Sequence, residues 1–95
     1  MFIVPLKLTE NKSIASEFMD VHNEWIKQGF EDGVFLLSGS LHPDLGGSVI
    51  AHNTSISDLQ KRVNTDLFVA ENIVSTEILD VDTKKVDDRL SFLVS

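Results

Sequence analysis

The sequence predicts an α+β domain in which an antiparallel sheet carries two helices on one face. The apolar segments follow the order strand, helix, strand, strand, helix, strand, with helical periodicity after the first and the third strands. This order is the split β-α-β, or ferredoxin-like, arrangement. Ninety-five residues, 42% of them hydrophobic, are enough for one small globular domain.

The first strand and the first helix are clearly patterned. Residues 2–8 form an apolar strand in which Pro5, having no N–H, predicts an edge or bulge position. Residues 14–28 carry apolar side chains at helical spacing, with Ser13 as the predicted N-cap and Gly29 as the C′ residue.

Two further strands follow the first helix. Residues 34–37 form the second strand, which is predicted to end at Ser38-Gly39-Ser40. Residues 41–47 contain proline and two glycines, which predicts a loop. Residues 48–51 then form the third strand.

The second helix and the last strand complete the domain. Ser57 and Gln60 have the spacing of a capping box, so the helix is predicted to begin there, to run through Val63 and to resume or continue over residues 66–70. Residues 73–81 form the fourth strand. The predicted domain is therefore 1–81, and 82–95 is an extension that begins charged and ends apolar, able to pack on the sheet or on a partner.

The strands lack the alternation expected of an antiparallel sheet with one solvated face. Phe2-Ile3-Val4, Val34-Phe35-Leu36-Leu37 and Val49-Ile50-Ala51 are apolar at consecutive positions. Two helices cover only one face, so the other is predicted to meet the sheet of a second identical chain, giving a homodimer. In the alternative, residues 90–94 cover that face within one chain, or the strands are merely short.

Composition excludes several classes of function. Fifteen acidic residues against eight basic ones give a net charge of −7, which does not suit nucleic-acid binding. No apolar run approaches the ~20 residues that span a membrane. The lack of cysteine excludes disulfides, thiolate catalysis and Cys-ligated metals. The lack of cysteine, together with a predicted strand where a signal peptide would lie, also predicts a cytoplasmic protein.

His22 is the side chain best suited to chemistry. It lies four residues after Phe18 and three before Trp25, on or beside the apolar face of the first helix. An imidazole there could act as a general base or orient a ligand. The alternative is a packed, hydrogen-bonded core histidine.

Asp66 is the second candidate. It lies where the second helix breaks or is capped again, so a capping role alone would explain it. Alternatively, its carboxylate could accept a hydrogen bond from one ring nitrogen of His22 and fix the tautomer. The sequence does not show that the two side chains meet.

The remaining polar motifs carry less information. His42 and His52 are isolated and have no metal-ligand spacing, so no metal site is predicted. Ser38-Gly39-Ser40 could meet a ligand but lacks the flanks of a nucleophile elbow. Gly46-Gly47 is too short for a phosphate loop. A chain of this size also has no room for a cofactor domain, and no cofactor is predicted.

The order of several short motifs resembles the YCII-related (YciI-like) family of small dimeric α+β barrel proteins, related in fold to muconolactone isomerases. The resemblance covers residues 1–81. It rests on Met1-Phe2-Ile3-Val4, His22 before Trp25-Ile26, Gly33-Val34-Phe35-Leu36-Leu37-Ser38-Gly39, Gly46-Gly47 before Val49-Ile50-Ala51, Asp66-Leu67-Phe68 and Glu77-Ile78.

This chain departs from the family pattern at three positions. Leu67 and Ser40 stand where the family usually has proline, and Met19 stands where a basic residue is common. The loss of the cation removes an anion contact, and the loss of proline at Leu67 relaxes the geometry that presents Asp66.

The resemblance implies a pocket between helices and sheet in which His22 and Asp66 form the active-site pair. Such pockets suit proton transfer or elimination on small cyclic or aromatic molecules, which is typical of a small lyase or isomerase. His22 would be the general base, Asp66 would orient it, and Ser38 would hydrogen-bond the ligand. Apolar walls would come from Phe18, Trp25 and Phe68. The alternatives are a non-catalytic module that binds a small metabolite and a purely structural dimer.

Overall fold

The computed structural model describes residues 1–94. Its elements in chain order are β1 (Phe2–Leu8), a 3₁₀ helix (Glu10–Ile14), α1 (Ala15–Glu31), β2 (Phe35–Leu41), β3 (Gly46–Ala51), α2 (Ile56–Asn64), α3 (Leu67–Ala70), β4 (Val74–Thr76), β5 (Leu79–Asp80) and a second 3₁₀ helix (Asp88–Leu93). The antiparallel sheet has the strand order β2-β3-β1-β4, and β5 also pairs with β1. The predicted α+β fold, with its helices on one face of an antiparallel sheet, is confirmed.

Pro5 lies inside the continuous strand β1, and the break opposite it falls in the neighbouring strand. β1 is a central strand, so of the two positions predicted for Pro5, edge or bulge, the edge position is wrong. The predicted last strand is divided into β4 and β5, which keep one register with β1 on either side of Glu77 and Ile78. The gap lies opposite Pro5, which has no N–H to donate across the ladder.

The hairpin of β2 and β3 is longer than the sequence predicted. Ser38, Gly39 and Ser40 lie inside β2 and pair with β3, so the predicted strand end at these residues was wrong. Their low strand propensity is outweighed by continuous pairing. The loop shrinks to residues 42–45, which contain a cis His42–Pro43 bond.

The first helix begins and ends differently from the prediction. Thr9 accepts from the Asn11 N–H and caps a 3₁₀ turn that contains Ser13, so Ser13 is not the N-cap. Gly29 is buried inside α1, where a Cβ would overlap the ring of Phe35. The left-handed residue after the helix is Gly33, with φ +73°.

The second helix is two helices. Ser55, and not Ser57, caps α2 by accepting from the Asp58 N–H. The chain then turns at Thr65, and Asp66 caps the short helix α3 by accepting from the Phe68 N–H. This break fixes the position of the Asp66 carboxylate.

The hydrophobic core lies between the helices and one face of the sheet. It is built mainly from Phe2, Val4, Leu6, Phe35, Val49, Leu59, Val63, Phe68 and Ile73. The register places Ile3, Leu37, Ile50 and Leu79 on the opposite face, which we call the open face. Paired side by side, these four residues form one apolar row across four strands.

The end of the chain leaves the sheet after Val81. Met1 and Val81 exchange two backbone hydrogen bonds, of 3.1 and 2.8 Å, which extend the pairing beyond β5. The second 3₁₀ helix then brings the Phe92 ring to 5.5 Å from that of His52. Leu37 and Leu79 on the open face remain 49% and 44% exposed, so this segment does not cover them. None of the described helices is both long and apolar enough to cross a membrane.

Candidate active site

A cavity of about 480 Å³ opens between α1 and the core-facing side of the sheet. Its apolar wall includes Leu6, Leu8, Met19, Ile26, Val49 and Phe68. Its polar wall consists of Lys12, His22, Asn23, Ser38, Ser40 and Ser48. The volume and the mixture of an apolar wall with a few polar groups are those of a small-molecule site.

His22 and Asp66 meet beside this cavity. The Nδ1 atom of His22 lies 2.9 Å from Oδ1 and 3.1 Å from Oδ2 of Asp66. Because a carboxylate can only accept, this contact assigns the proton to Nδ1 and leaves Nε2 as the unprotonated nitrogen of the neutral ring. Among residues 1–94, Nε2 has no hydrogen-bond partner, and His22 lines the cavity.

The carboxylate of Asp66 is held by the fold on more than one side. Its side chain is 0% exposed, and its Oδ1 atom also accepts from the Phe68 N–H at 3.3 Å. Asp66 is therefore both the cap of α3 and the partner of His22, two interpretations that the sequence left as alternatives. The cap fixes where the carboxylate lies, and the carboxylate fixes the imidazole.

Aromatic rings hold the plane of the His22 imidazole. Phe68 stacks on it with a centroid distance of 4.0 Å and an interplanar angle of 2°. Trp25 lies at 6.0 Å and 20°, and its indole N–H donates to the Arg62 carbonyl at 2.9 Å. The ring is 12% exposed, so its orientation is set by packing as well as by Asp66.

The other predicted site residues divide into two groups. Ser38 and Phe68 line the cavity. Phe18 and Trp25 do not line it and pack against the core instead. Trp25 thus supports the imidazole rather than forming a wall.

Sequence reasoning missed three polar residues of the wall, Lys12, Asn23 and Ser48, whereas Ser40 belongs to the Ser38-Gly39-Ser40 motif that was expected to meet a ligand. A usable signal for Asn23 was present, because Met19, His22, Asn23 and Ile26 have the spacing i, i+3, i+4, i+7 of one helix face. Lys12 carried no such signal, because it lies in a 3₁₀ turn that the sequence pattern does not predict.

A charged pair lies outside the cavity, at the end of α1. The Arg62 guanidinium donates to Asp32 at 2.8 Å and, with the Gln28 amide, holds the pKa of that carboxyl below its usual value. This pair joins the end of α1 to α2. Within the described part of the chain, no group of three or more His, Asp or Glu side chains could hold a metal ion.

The comparisons with known proteins give a likeness in structure. No protein-family model matches the chain, and no curated protein matches it. Among solved structures it is similar to 5-chloro-2-hydroxyhydroquinone dehydrochlorinase (TftG) from Burkholderia phenoliruptrix AC1100, in its complex with 2,5-dihydroxybenzoquinone. The identity is 13% and the TM-score 0.72, over 87% of this chain and 94% of that chain. At this identity the likeness shows the fold alone, and it agrees with the predicted α+β arrangement.

Proposed function

We propose that this protein is a small enzyme of the lyase or isomerase type that transfers a proton on a small cyclic or aromatic molecule. The observation that carries the proposal is the 2.9 Å contact between His22 and the fully buried Asp66, at the wall of a cavity of about 480 Å³. In this assignment, His22 is the general base and Asp66 orients it.

The proposed role of His22 depends on which of its two ring nitrogens carries no proton. Asp66 holds the proton on Nδ1, so the lone pair of Nε2 is available to a ligand in the cavity. When Nε2 takes a proton from the ligand, the imidazolium that forms is already paired with a carboxylate. The buried pair thus stabilises the charge that the reaction creates, with no movement of Asp66.

The wall provides the means to hold a ring in place. The hydroxyl of Ser38 has no hydrogen-bond partner among residues 1–94, so it can donate to an oxygen of the ligand. Phe68 and the aliphatic wall can cover the faces of the ring. The structural neighbour is named as a dehydrochlorinase of a hydroxyhydroquinone, which supports elimination on an oxygenated ring as the first reaction to test.

Chloride release from 5-chloro-2-hydroxyhydroquinone tests the proposal, with exchange of ring protons in D₂O followed by NMR. We expect turnover by the unaltered protein and a loss of about 10²–10⁴-fold in His22→Gln, the range of a general base. Asp66→Asn should also lose activity, because an amide can stabilise the wrong tautomer. His52→Gln is the matched control, since His52 does not line the cavity.

The same experiment separates catalysis from mere binding. If the unaltered protein binds the compound but neither releases chloride nor exchanges its protons, the cavity is a binding site and the catalytic assignment is wrong. Equal turnover in His22→Gln and in the unaltered protein would contradict the role of the imidazole.

We also propose that two copies pair through the open face. The apolar row of Ile3, Leu37, Ile50 and Leu79 crosses four strands, and two of its members are nearly half exposed. A second open face is the simplest cover for such a row. Light scattering should give twice the 10.6 kDa of one chain. Leu37→Glu should shift the mass to the monomer, whereas Val21→Glu, at an exposed position of α1, should not.

A further inference from the structure

The wall of the His22 cavity differs in charge from the protein as a whole. The chain has 15 acidic and 8 basic residues. Within the described chain, however, the residues that line the cavity include one lysine, Lys12, and no Asp or Glu. The carboxylate of Asp66 lies behind His22, fully buried and bonded to the ring. A ligand in the cavity therefore meets positive charge and no negative side chain.

Lys12 is available to a ligand. It lies on the 3₁₀ helix Glu10–Ile14, lines the cavity and is exposed. None of the other residues among 1–94 forms an ion pair or a side-chain hydrogen bond with it. A ligand that pairs with Lys12 does not have to displace an acidic partner.

The uncharged polar groups of the wall can donate hydrogen bonds to a ligand. The hydroxyls of Ser38 and Ser40 have no hydrogen-bond partner among the described residues, and the side-chain amide of Asn23 is likewise unbonded. Ser48 is the exception, because its hydroxyl donates to the Val4 carbonyl at 3.2 Å. Hydroxyl and amide donors beside one ammonium form a surface suited to oxygen atoms that carry negative charge.

We propose that the cavity takes a small aromatic anion, a ring bearing a carboxylate or an ionised ring oxygen, and that Lys12 pairs with its charge. The proposal names the substrate class of the His22 site and so rests on the proposed function. The apolar wall selects the ring, and Lys12 selects its charge.

Lys12 would contribute to the reaction as well as to binding. When Nε2 of His22 takes the proton of a ring hydroxyl, the electron pair of the broken O–H bond remains on that oxygen and is delocalised into the ring. An ammonium and hydroxyl donors near that oxygen stabilise the resulting negative charge. His22 and Lys12 thus act on opposite products of one proton transfer, the proton and the electron pair.

Titration calorimetry with 4-hydroxybenzoate and 4-hydroxybenzamide tests the proposal, because the two probes share a shape and differ in charge. We expect the unaltered protein to bind the benzoate about two- to fivefold more tightly than the amide, as for one exposed ion pair. Lys12→Met should remove this preference by weakening the benzoate alone, and Lys12→Arg should restore most of it. Lys61→Met, which removes an exposed lysine of α2 outside the cavity, should leave both affinities unchanged.

The two proposals can fail separately. Equal affinity for both probes, binding of neither probe, or a preference that survives in Lys12→Met would overturn the assignment of an anionic ligand. His22→Gln keeps Lys12 in place, so the preference for the benzoate should persist there even though proton transfer is lost. A catalytic failure with the preference intact would contradict the proposed function and leave the anion site standing.

Discussion

Two histidines of this protein have similar surroundings and differ in one partner. His22 lines a cavity of about 480 Å³ and stacks on Phe68, while His52 lines one of about 490 Å³ and lies edge-on to Phe92. Only His22 has a carboxylate on its ring within residues 1–94, and that carboxylate is fully buried. A cavity and an aromatic neighbour are thus common to both. The buried acceptor is what makes one imidazole a candidate base.

The largest effect on stability is expected from removal of the Asp66 carboxylate. Asp66→Ala leaves the Nδ1–H of His22 and the Phe68 N–H without their acceptor and removes the cap of α3. The expected cost is about 2–4 kcal/mol of unfolding free energy, from the cap and the charged hydrogen bond together. Urea unfolding followed by circular dichroism measures it. Asp58→Ala, at an exposed position of α2, is the control, and an equal loss there would contradict a special role for Asp66.

Replacing His22 should lower the free energy of unfolding more than replacing His52. His22→Gln removes the ring that pairs with a buried carboxylate, so we expect a loss of about 1–3 kcal/mol. His52→Gln should cost less, because within residues 1–94 no buried carboxylate loses its partner there. In the double variant with Asp66→Ala, the His22 loss should shrink, because the two single changes break the same contact. Strictly additive losses would show that the pair contributes nothing as a pair.

The sequence placed the elements better than it placed their ends, and it could not show the pairing. His22 and Asp66 could be chosen because one lies on an amphipathic helix and the other at a helix break. Their contact joins residues 44 apart in the chain, which spacing alone does not predict. The part of β2 over Ser38 to Ser40 was missed because these small polar residues have low strand propensity. They lie in the sheet because they pair with β3. Lys12 was missed for a related reason, since only the fold brings its 3₁₀ turn to the cavity.

Replacing Trp25, which packs beside the His22 imidazole, should cost less stability than breaking the pair of His22 and Asp66. Trp25→Phe removes the N–H that donates to the Arg62 carbonyl, but that carbonyl still accepts from Thr65. We therefore expect a loss of about 1–2 kcal/mol, most of it from packing against Phe35 and the imidazole. Because Trp25 is the sole tryptophan, circular dichroism and not fluorescence must follow unfolding. A fully preserved unfolding midpoint would mean that the imidazole is held by Phe68 and Asp66 alone.

The smallest effect is expected at the exposed pair of Asp32 and Arg62, which joins α1 to α2 without touching the cavity. The guanidinium donates to the Asp32 carboxylate and lowers its pKa in the folded protein. The unfolded chain therefore binds more protons in the acid range, so the pair stabilises the fold above about pH 4 and is lost as the pH falls through the lowered pKa.

Asp32→Asn tests this sign. At neutral pH the variant should be slightly less stable than the unaltered protein, because the loss of the pair is partly offset by removing a negative charge from the C-terminal end of α1. As the pH falls below about 4, the two unfolding curves should converge, since the unaltered carboxyl is then protonated as well. The measurement is the urea midpoint at a series of pH values. If the difference between the two urea midpoints instead widens toward acid pH, the predicted sign is wrong and the fold accommodates Asp32 better in its protonated form.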